Sequence, residues 1–247
     1  MLSACRTTKS DPDYCPECVE DAGPDVSGCV SNAVCLDAGA SFCEVDAGIC
    51  TGCMRDTDCT HISGKNMCSA GACVQCTPED ESACDGKSCD PENNSCTETT
   101  VASIDTCEPC VSDTECVADH KCVPLDYDGS FHGNYCMKVL SATCERPYLV
   151  VLNKKSVLAG EDEAAEQFCG INESLSSCEA VLAFISPCTT DGSCQVGGNE
   201  TPISGALCRT VNGSPSKCTY KCSAPAQCQD TFGCTNSGNG VDYCGGT

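Results

Sequence analysis

Thirty-one of the 247 residues are cysteine, and this number limits what the chain can fold into more than any other feature. Cysteine at this density is typical of a disulfide scaffold. Each bridge stabilises a fold by about 2–4 kcal/mol, mainly because it restricts the unfolded chain. Since disulfides persist only in oxidising compartments, we expect an exported protein that is held together by cross-links.

Apolar residues are too few for an ordinary core, which explains why cross-links are needed. Leu, Ile, Val and Phe together supply 39 of the 247 residues, and tryptophan is absent. With a net charge of -23, such a composition would indicate disorder if the cysteines were ignored. The charge also argues against nucleic acid and anionic membrane surfaces as partners. Solubility alone explains it, and attraction of cations or of a basic partner is the alternative.

Residues 145–187 hold the densest apolar sequence, with 13 of those 39 residues. Aromatic and aliphatic residues over 148–158 predict a strand or a short hairpin. Acidic residues lead into a short helix over 161–168, and Gly170 supplies its C-cap. A second helix is predicted over 176–185, where a Ser-x-x-Glu spacing starts it and a proline follows it. The stretch is therefore expected to build the core of a C-terminal α+β domain with two short helices.

Two cysteine spacings occur twice, and both predict repeated modules. The pattern C-x2-C-x5-C, with acidic filler, covers residues 50–59 and 107–116. A longer pattern that ends in Tyr-Cys covers residues 110–136 and 222–244, with turn residues between its last two cysteines. Each copy of the longer pattern is expected to form a cystine-bound β-hairpin. The predicted fold class is thus small disulfide-rich modules with short β-hairpins, held by about 15 disulfides whose connectivity the sequence leaves open.

The Thr- and Ser-rich segment 97–106 is the expected domain boundary. In this interpretation an N-terminal cysteine-rich array acts as a stalk that holds the C-terminal domain away from the membrane. The predicted layout is a lipid-anchor tether at 1–14, the repeat array at 15–106 and the C-terminal domain at 107–247, which comprises a hairpin module at 107–144, the helical stretch at 145–187, a loop segment at 188–217 and a hairpin module at 218–247.

Several short blocks of the chain are distinctive. They are the Asp-Ala-Gly turns, the C-x2-C-x5-C patterns, and residues 144–148, 168–173 and 178–183. Together they resemble the cysteine-rich surface lipoproteins of myxobacteria and related bacteria. The likeness covers most of the chain, and its specific blocks lie within 107–244. It implies a lipid-anchored, disulfide-rich protein of the outer cell surface with no established chemistry.

The segment Leu2-Ser3-Ala4-Cys5 resembles a bacterial lipobox, whose cysteine carries lipid once the signal peptide is removed. We therefore expect Cys5 to be lipidated and the gene to encode a signal sequence before Met1. Without Cys5, 30 of the 31 cysteines remain, which is enough for 15 disulfides. The membrane would then be contacted only through this anchor. The alternative is a chance tetrapeptide, with Cys5 as a free or intermolecular thiol.

A metal-binding or redox protein that uses C-x2-C thiolates is the alternative function. Cys50-x2-Cys53-x19-Cys73-x2-Cys76 has zinc-ribbon spacing. Other cysteines lie between the two pairs, however, and a chain with this many cysteines produces such spacings by chance. The iron–sulfur spacing that starts at Cys68 has the same weakness. A redox pair would need a thioredoxin-like context, which is missing. We therefore predict disulfides, with no metal and no cofactor.

No set of residues assembles a convincing active site. His61, His120 and His132 have no companion motif of a zinc peptidase or a serine hydrolase, and we expect exposed loop residues. Residues 126–130 hint at a calcium loop, but the glycine stands at the fourth position and the closing glutamate is absent. The prediction is a non-enzymatic extracellular or cell-surface protein, structural or binding, whose partner is a protein or a glycan.

The loop of residues 126–133 is the predicted partner contact. Tyr127, Phe131 and His132 lie in it, whereas the matching loop before Cys244 is shorter and holds small polar residues. A pure turn has no need of two aromatic rings, and rings fixed on a cross-linked hairpin lose little entropy when they bind. The alternative is that both rings fold back over the sparse core.

Overall fold

The computed structural model describes most of the chain in two compact units, which span residues 1–75 and 76–247. The segment 97–106, which the sequence analysis placed between two domains, lies inside the second unit. Cys5 and the predicted tether lie outside the described residues, and so do Cys15 and Cys18. The described residues are 29, 35, 42–44, 46, 48–141, 143–194, 205–236 and 240–246.

The secondary structure consists mainly of short antiparallel strands. A short α-helix, α1, spans Cys178–Leu182. The strands are β1 (Phe42–Glu44), β2 (Ile49–Thr51), β3 (Met67–Ser69), β4 (Ala72–Val74), β5 (Lys87–Asp90), β6 (Ser95–Thr100), β7 (His120–Tyr127), β8 (Ser130–Val139), β9 (Val150–Lys154), β10 (Glu166–Gly170), β11 (Ala206–Val211), β12 (Ser214–Tyr220), β13 (Cys234–Asn236) and β14 (Asp242–Cys244).

Cysteine pairing follows one rule in six four-cysteine modules of the described chain. In each module the first cysteine is bonded to the third and the second to the fourth. The third and fourth cysteines face each other across an antiparallel strand pair. This arrangement confirms the predicted fold class of small disulfide-rich modules with short hairpins. The modules comprise residues 29–50, 53–73, 76–96, 110–136, 188–218 and 222–244.

Hydrogen bonds from acidic side chains shape the first loop of a module, as module 53–73 illustrates. A 3-10 turn at Asp56–Cys59 leads into the second cysteine. The Asp58 carboxylate accepts hydrogen bonds from two backbone N–H groups of the preceding loop, at 2.9 and 3.0 Å. Asp56 Oδ1 accepts another from the backbone N–H of Cys68, at 2.8 Å. The two carboxylates thus tie the loop to itself and to the hairpin.

The same contacts recur in other modules. Asp113 Oδ1 accepts a hydrogen bond from the backbone N–H of Cys122 at 3.1 Å, and Asp191 Oδ1 accepts one from Cys208 at 2.7 Å. Glu115 stands where Asp58 stands in module 53–73, and its carboxylate accepts the backbone N–H of the loop at 2.7 Å. The acidic filler between the cysteines is therefore a set of hydrogen-bond acceptors that position the loop.

Tight two-residue turns close several of the hairpins. The φ angles are 49° and 78° at Asp128 and Gly129, and 46° and 75° at Asn212 and Gly213. Positive φ at both central residues is characteristic of the type I′ turn, which favours Asp-Gly and Asn-Gly because aspartate, asparagine and glycine tolerate this conformation. The local twist of such turns matches that of the paired strands, so these dipeptides fix the hairpin register.

The second unit contains a four-stranded antiparallel sheet in the order β7-β8-β10-β9. Val123, Leu125 and Met137 from the β7–β8 hairpin are buried on one face, together with Phe168 from β10. Val181 of α1 joins the same cluster. The stretch 145–187 therefore contributes to the core, as expected, but three of these five side chains come from the hairpin before it.

The first helix predicted in the central stretch is wrong. Within 161–168, residues from Glu166 onward belong to strand β10, which pairs with β9 and β8. Phe168 is fully buried and lies opposite Leu152. A side chain at Gly170 would overlap Leu152, so this glycine permits close strand packing and does not cap a helix. Burial of Phe168 between neighbouring strands outweighs the helix signal of the acidic lead-in.

The second predicted helix is present but shorter than expected. Helix α1 is capped by Ser177, whose hydroxyl accepts a hydrogen bond from the backbone N–H of Ala180 at 3.4 Å. The Ser-x-x-Glu spacing predicted a cap at Ser176, with Glu179 completing a capping box. Glu179 instead points at the β7–β8 hairpin and accepts a hydrogen bond from the hydroxyl of Tyr135.

The predicted loop segment at 188–217 is also wrong in part, because its described residues include a hairpin. Strands β11 and β12 pair from Ala206 with Tyr220 to Val211 with Ser214. The rings of Tyr220 and Phe232 pack edge-on against Phe184, with centroids 5.5 and 4.7 Å away. Through Tyr220 the hairpin therefore packs against the core beside Phe184.

Two disulfides fall outside the module rule. Cys107–Cys178 ties the segment before the β7–β8 module to α1, and Cys144–Cys169 ties the segment after β8 to β10. With them, the part of the chain described by the structure contains 14 disulfides. These two bridges connect helix α1 and strand β10 to segments that flank the β7–β8 module. The disulfides within the modules do not make these connections.

Candidate functional site

The predicted partner loop forms the tip of the β7–β8 hairpin, which we call the hairpin tip and define as residues 126–133. Disulfides Cys110–Cys122 and Cys116–Cys136 hold the base of the hairpin. Since both bridges reach the hairpin strands, the tip is presented on a cross-linked support.

Residues 126–130, which hint at a calcium loop in the sequence, form a tight turn. Asp128 and Gly129 are its two central residues, and Tyr127 pairs directly with Ser130. The carboxylate of Asp126 is 2.9 Å from the ammonium of Lys154. A two-residue turn does not encircle a cation, and a lysine already occupies one of the carboxylates that a calcium ion would need.

A β-bulge lies at His132. Leu125 pairs with Gly133 and Asp126 pairs with Phe131, so His132 is the extra residue of strand β8. Bulges redirect side chains and are frequent beside binding sites. Because neighbouring residues of a strand point to opposite faces, this register places Phe131 on the face of Asp126, away from Tyr127.

His132 forms an aromatic cluster with Tyr127 of the tip and Tyr135 of strand β8. Its ring lies 6.0 Å from the ring of Tyr127 in an edge-on arrangement and 6.5 Å from the ring of Tyr135 in a stacked one. His132 Nδ1 is 3.2 Å from the hydroxyl of Tyr135. Tyr127 is half-buried in this cluster and does not belong to the main core.

Glu179 of α1 forms the floor of the cluster. Its Oε1 accepts a hydrogen bond from the Tyr135 hydroxyl, and its Oε2 is 3.4 Å from His132 Nδ1. Burial, and then the Glu179 carboxylate beside it, raise the pKa of Tyr135 well above its ordinary value. Tyr135 therefore remains a neutral hydrogen-bond donor at physiological pH. Oε2 is buried without a hydrogen bond among the described residues.

A charged network secures the hairpin from the other side. Lys154 of β9 is 2.9 Å from Asp126 Oδ2 and 3.0 Å from Glu173 Oε1. Glu173 also accepts the backbone N–H of Asp126 through its carboxylate and that of Asp128 through its carbonyl, at 2.7 and 2.9 Å. Burial lowers the pKa of Lys154, but the hydrogen bonds that its ammonium donates to the two carboxylates outweigh this effect, and the net shift of the pKa is upward. The tip is thus held by ionic contacts as well as by disulfides.

Phe131 is the exposed ring of the tip, with 67% of its surface accessible. The alternative interpretation, in which the rings fold over the core, is wrong for this residue. Tyr127 takes an intermediate position because it leans on His132. The two aromatics that the sequence analysis grouped together therefore have different environments.

The two half-buried histidines differ from the exposed loop residues that we expected. His61 is exposed, but His120 and His132 lie in strands β7 and β8. The Nε2 of His120 is 2.7 Å from the hydroxyl of Thr106, and its Nδ1 is 2.9 Å from the carbonyl of Ala118. Both histidines are therefore engaged by neighbouring groups.

The C-x2-C pairs of the described residues do not act as pairs. Cys50 and Cys53 belong to consecutive modules, and so do Cys73 and Cys76. Each of the four is bonded to a cysteine other than its near neighbour. Clusters of three cysteine sulfurs do lie within 4.8 Å of one another, but every sulfur in the named clusters is in a disulfide. Each C-x2-C pair of the zinc-ribbon spacing thus marks a junction between modules. Because these four cysteines are in disulfides, the pairing is inconsistent with the alternative function, in which C-x2-C pairs act as thiolates.

Glu179, Lys154 and Glu173 are site residues that the sequence analysis missed. The Glu179 side chain was assigned to a helix cap, although its real partner Tyr135 lies 44 residues away in sequence. Tyr135 did have a signal in the sequence, because both copies of the longer cysteine pattern end in Tyr-Cys. Long-range pairs such as Asp126 with Lys154 leave no trace in local spacing.

The disulfides and helices of the described chain bear on where the protein is located. Fourteen disulfides indicate a protein of an oxidising compartment outside the cytoplasm. Among the described helices, none has the length and apolar character required to cross a bilayer. Comparison with family models, with curated proteins and with solved structures finds no match to this chain.

Proposed function

We propose that this protein is a non-enzymatic, disulfide-stabilised surface protein that binds a partner through the hairpin tip. The observation that carries this proposal is the exposure of Phe131 on a support held by two disulfides. An exposed aromatic ring on a rigid support is typical of the residues that dominate binding energy, because little conformational freedom is lost on association.

The charges around the tip favour a partner that offers apolar and basic groups together. Asp128 is exposed at the turn, and Asp126 and Glu173 lie beside it with Lys154 as their shared cation. The whole chain carries a net charge of -23. Complementary charge accelerates encounter and suppresses the wrong partners. A protein segment with lysine or arginine next to an apolar side chain fits better than an acidic glycan.

The proposal includes attachment to the outer surface of a bacterium. Lipidation of Cys5 would anchor the chain, in line with the likeness to myxobacterial surface lipoproteins. The shared cysteine connectivity supports the view that the modules are repeats of one unit. In this proposal the N-terminal modules serve as a stalk. Disulfides at this density suit a protein exposed to extracellular conditions.

The test is binding of the labelled, purified protein to intact cells of the producing organism. Phe131→Ser should lower cell binding about tenfold or more, as loss of a dominant interface residue does. Its melting temperature should stay within about 2 °C of the parent, because the ring is exposed. Treating the cells with protease should abolish binding if the partner is a protein, whereas a glycan partner would survive the treatment.

Val151→Ser is the matched control. Val151 is 44% exposed on strand β9, so this substitution also removes an accessible apolar side chain. It should leave cell binding unchanged. Equal binding by the parent and the Phe131→Ser variant would refute the proposed site.

A further inference from the structure

A cleft lined by basic residues opens beside Tyr148, far in sequence from the hairpin tip. It has a volume of about 250 Å³, and its walls include His120, Lys138 and Arg146. The chain has only 13 lysines and arginines against 36 acidic residues. Two of these cations and a histidine therefore line one cavity that contains a single carboxylate, that of Glu145.

The cations of this cleft are weakly engaged. Lys138 is 3.9 Å from Glu145, whose side chain is 84% exposed. In the described part of the chain Arg146 has no ion-pair partner. An exposed pair at this distance contributes little, because water screens it. Both cations are thus available to an anionic group, for which the planar guanidinium offers a two-pronged hydrogen-bond donor.

A second cavity of about 310 Å³ adjoins the first, because the two cavities share lining residues. Thr106 and Tyr148 line both cavities, whereas Asp105, Glu108 and Leu182 line only the second. The cleft as a whole therefore has an acidic end and a basic end, and it has an apolar wall at the acidic end.

The carboxylates of the acidic end are oriented by short-range hydrogen bonds. Asp105 Oδ1 accepts the backbone N–H of Thr106 at 2.7 Å, and Glu108 Oε2 accepts the backbone N–H of Asp105 at 3.0 Å. Each carboxylate keeps a second oxygen that can accept a hydrogen bond from a ligand. The two acids are therefore held in place without being neutralised by a cation among the described residues.

Tyr148 lines both cavities and packs against the core. Burial, followed by the nearby carboxylates of Asp105 and Glu108, raises the pKa of Tyr148 to about 12. Its hydroxyl thus stays protonated at physiological pH and adds no charge to the cleft. The ring provides a neutral surface between a cation-binding end and an anion-binding end.

We propose that the cleft around Tyr148 binds a small zwitterion of the size of a short peptide with free termini. The carboxylate faces Lys138 and Arg146, and the ammonium faces Asp105 and Glu108. A plain anion would meet repulsion from the acidic end, and a plain cation would meet it from the basic end. The larger cavity alone, at about 310 Å³, reaches the range of small-molecule sites, about 300–1,000 Å³.

The experiment uses the purified full chain and three probes, namely alanyl-leucine, its N-acetyl derivative and its C-terminal amide. Binding is followed by the amide NMR signals of Thr106 and Tyr148 during titration to about 10 mM, since weak small-ligand sites have millimolar affinity. Alanyl-leucine should shift both signals. Acetylation or amidation should each weaken binding about tenfold, because each removes one charge-assisted contact.

Variants locate the two charges. Lys138→Gln with Arg146→Gln should abolish the difference between alanyl-leucine and its amide, and Glu108→Gln should reduce the difference between alanyl-leucine and its acetyl form. Arg55→Gln with Lys65→Gln removes the same number of cations from the first unit and should leave all three affinities unchanged. This control separates a local contact from a general effect of net charge.

Three outcomes would overturn the proposal. Equal binding of the acetylated peptide would reduce the cleft to an anion site, and equal binding of the amide would reduce it to a cation site. Absence of any shift at Thr106 and Tyr148 would mean that the cleft holds no such ligand. None of these results bears on Phe131, so the proposed function of the hairpin tip is tested separately.

Discussion

Module 53–73 and the central sheet become ordered in different ways. The buried interior of the module is made of cysteines, with Ile62 packed against them. The sheet formed by β7–β10 instead buries Leu125, Met137 and Phe168 around its cysteines. The first has almost no apolar interior, while the second has a small core of the ordinary kind.

This difference shows what each kind of stabilisation permits. A module of about twenty residues cannot bury enough apolar surface to fold alone, and bridges that restrict the unfolded chain replace that burial. Its sequence needs only cysteines at set spacings and a few acceptors for the loop. The sheet can include a bulge and pack against a short helix, because side-chain packing supports elements that local spacing does not define.

Phe168→Ala is expected to have the largest effect and to act only on the sheet. Removing a fully buried phenylalanine costs about 3–5 kcal/mol, because apolar contacts are lost and a cavity remains. Hydrogen exchange should show loss of protection in β7–β10, while β3 and β4 of module 53–73 stay protected. Val151→Ala, on a half-exposed position of β9, should change protection little. Equal loss in both regions would mean that they unfold together.

Removing the disulfide Cys59–Cys73 is the reciprocal experiment. Cys59→Ala with Cys73→Ala should cost about 3 kcal/mol, as expected for a bridge that closes a loop of this length. Without an apolar core to compensate, β3 and β4 should exchange as an unfolded chain does. The matched pair Cys144→Ala with Cys169→Ala should leave β10 protected, because Phe168 still packs there. Retained protection in β3 would contradict the comparison.

Two glycine substitutions compare how the regions absorb crowding. A side chain at Gly52 would overlap the backbone carbonyl of Gly71, and one at Gly170 would overlap the side chain of Leu152. A carbonyl fixed by cross-links cannot move aside, whereas a leucine can change rotamer. Gly52→Ala should therefore cost about 2–3 kcal/mol and Gly170→Ala about 1 kcal/mol, within the range of overpacked sites. Local hydrogen exchange measures both, and the reverse order would be contrary to this reasoning.

The smallest effect concerns pH, at two aspartates in equivalent module positions. Burial raises the pKa of Asp113 above its ordinary 3.8, despite hydrogen bonds from Ser156 and Cys122. Burial acts in the same direction on Asp191, but the hydrogen bond from Cys208 and the adjacent Arg209 outweigh it, so the pKa of Asp191 is lowered. The pH dependence of stability from the two groups must therefore have opposite signs.

Asp113 contributes stability below its unfolded pKa, and that contribution is lost as pH rises through the raised folded value. Asp191 contributes stability above its unfolded pKa, and that contribution is lost as pH falls through the lowered folded value. Melting temperatures from about pH 2 to pH 7 should show that Asp113→Asn removes a decline above pH ~4 and that Asp191→Asn removes a decline below it. Parallel profiles for the two variants would show that Arg209 does not matter.

The hairpins could be predicted because their signals are local. In modules 110–136 and 222–244 the last two cysteines are separated by turn residues and face each other across the strands. The hairpin with Asn212-Gly213 at its turn has the same kind of signal, but 13 residues separate the second and third cysteines of its module, where the two recognised copies have five. The pairing of first with third cysteine could not be deduced, since every spacing allows several partners.

The helix at 161–168 and the environment of the tip depended on distant residues. Phe168 becomes a strand residue because β8 and β9 lie on either side of it, and nothing near it in sequence indicates this. Phe131 was predicted to contact a partner because a pure turn has no need of aromatic rings. The contacts of His132 with Glu179 join residues 47 positions apart, so only the folded chain could reveal them.

Interleaved bridges also determine how far a module lengthens when it is pulled. Stretched from Cys53 to Cys73, twenty residues without cross-links would reach about 70 Å. With the bridges closed, the shortest covalent path runs through Cys53–Cys68, whose Cα atoms are 5.8 Å apart. It continues over the five residues to Cys73, about 17 Å more when fully extended. A module under tension therefore yields to about a third of its free length and then stops, which gives it the mechanics of a short, nearly inextensible link.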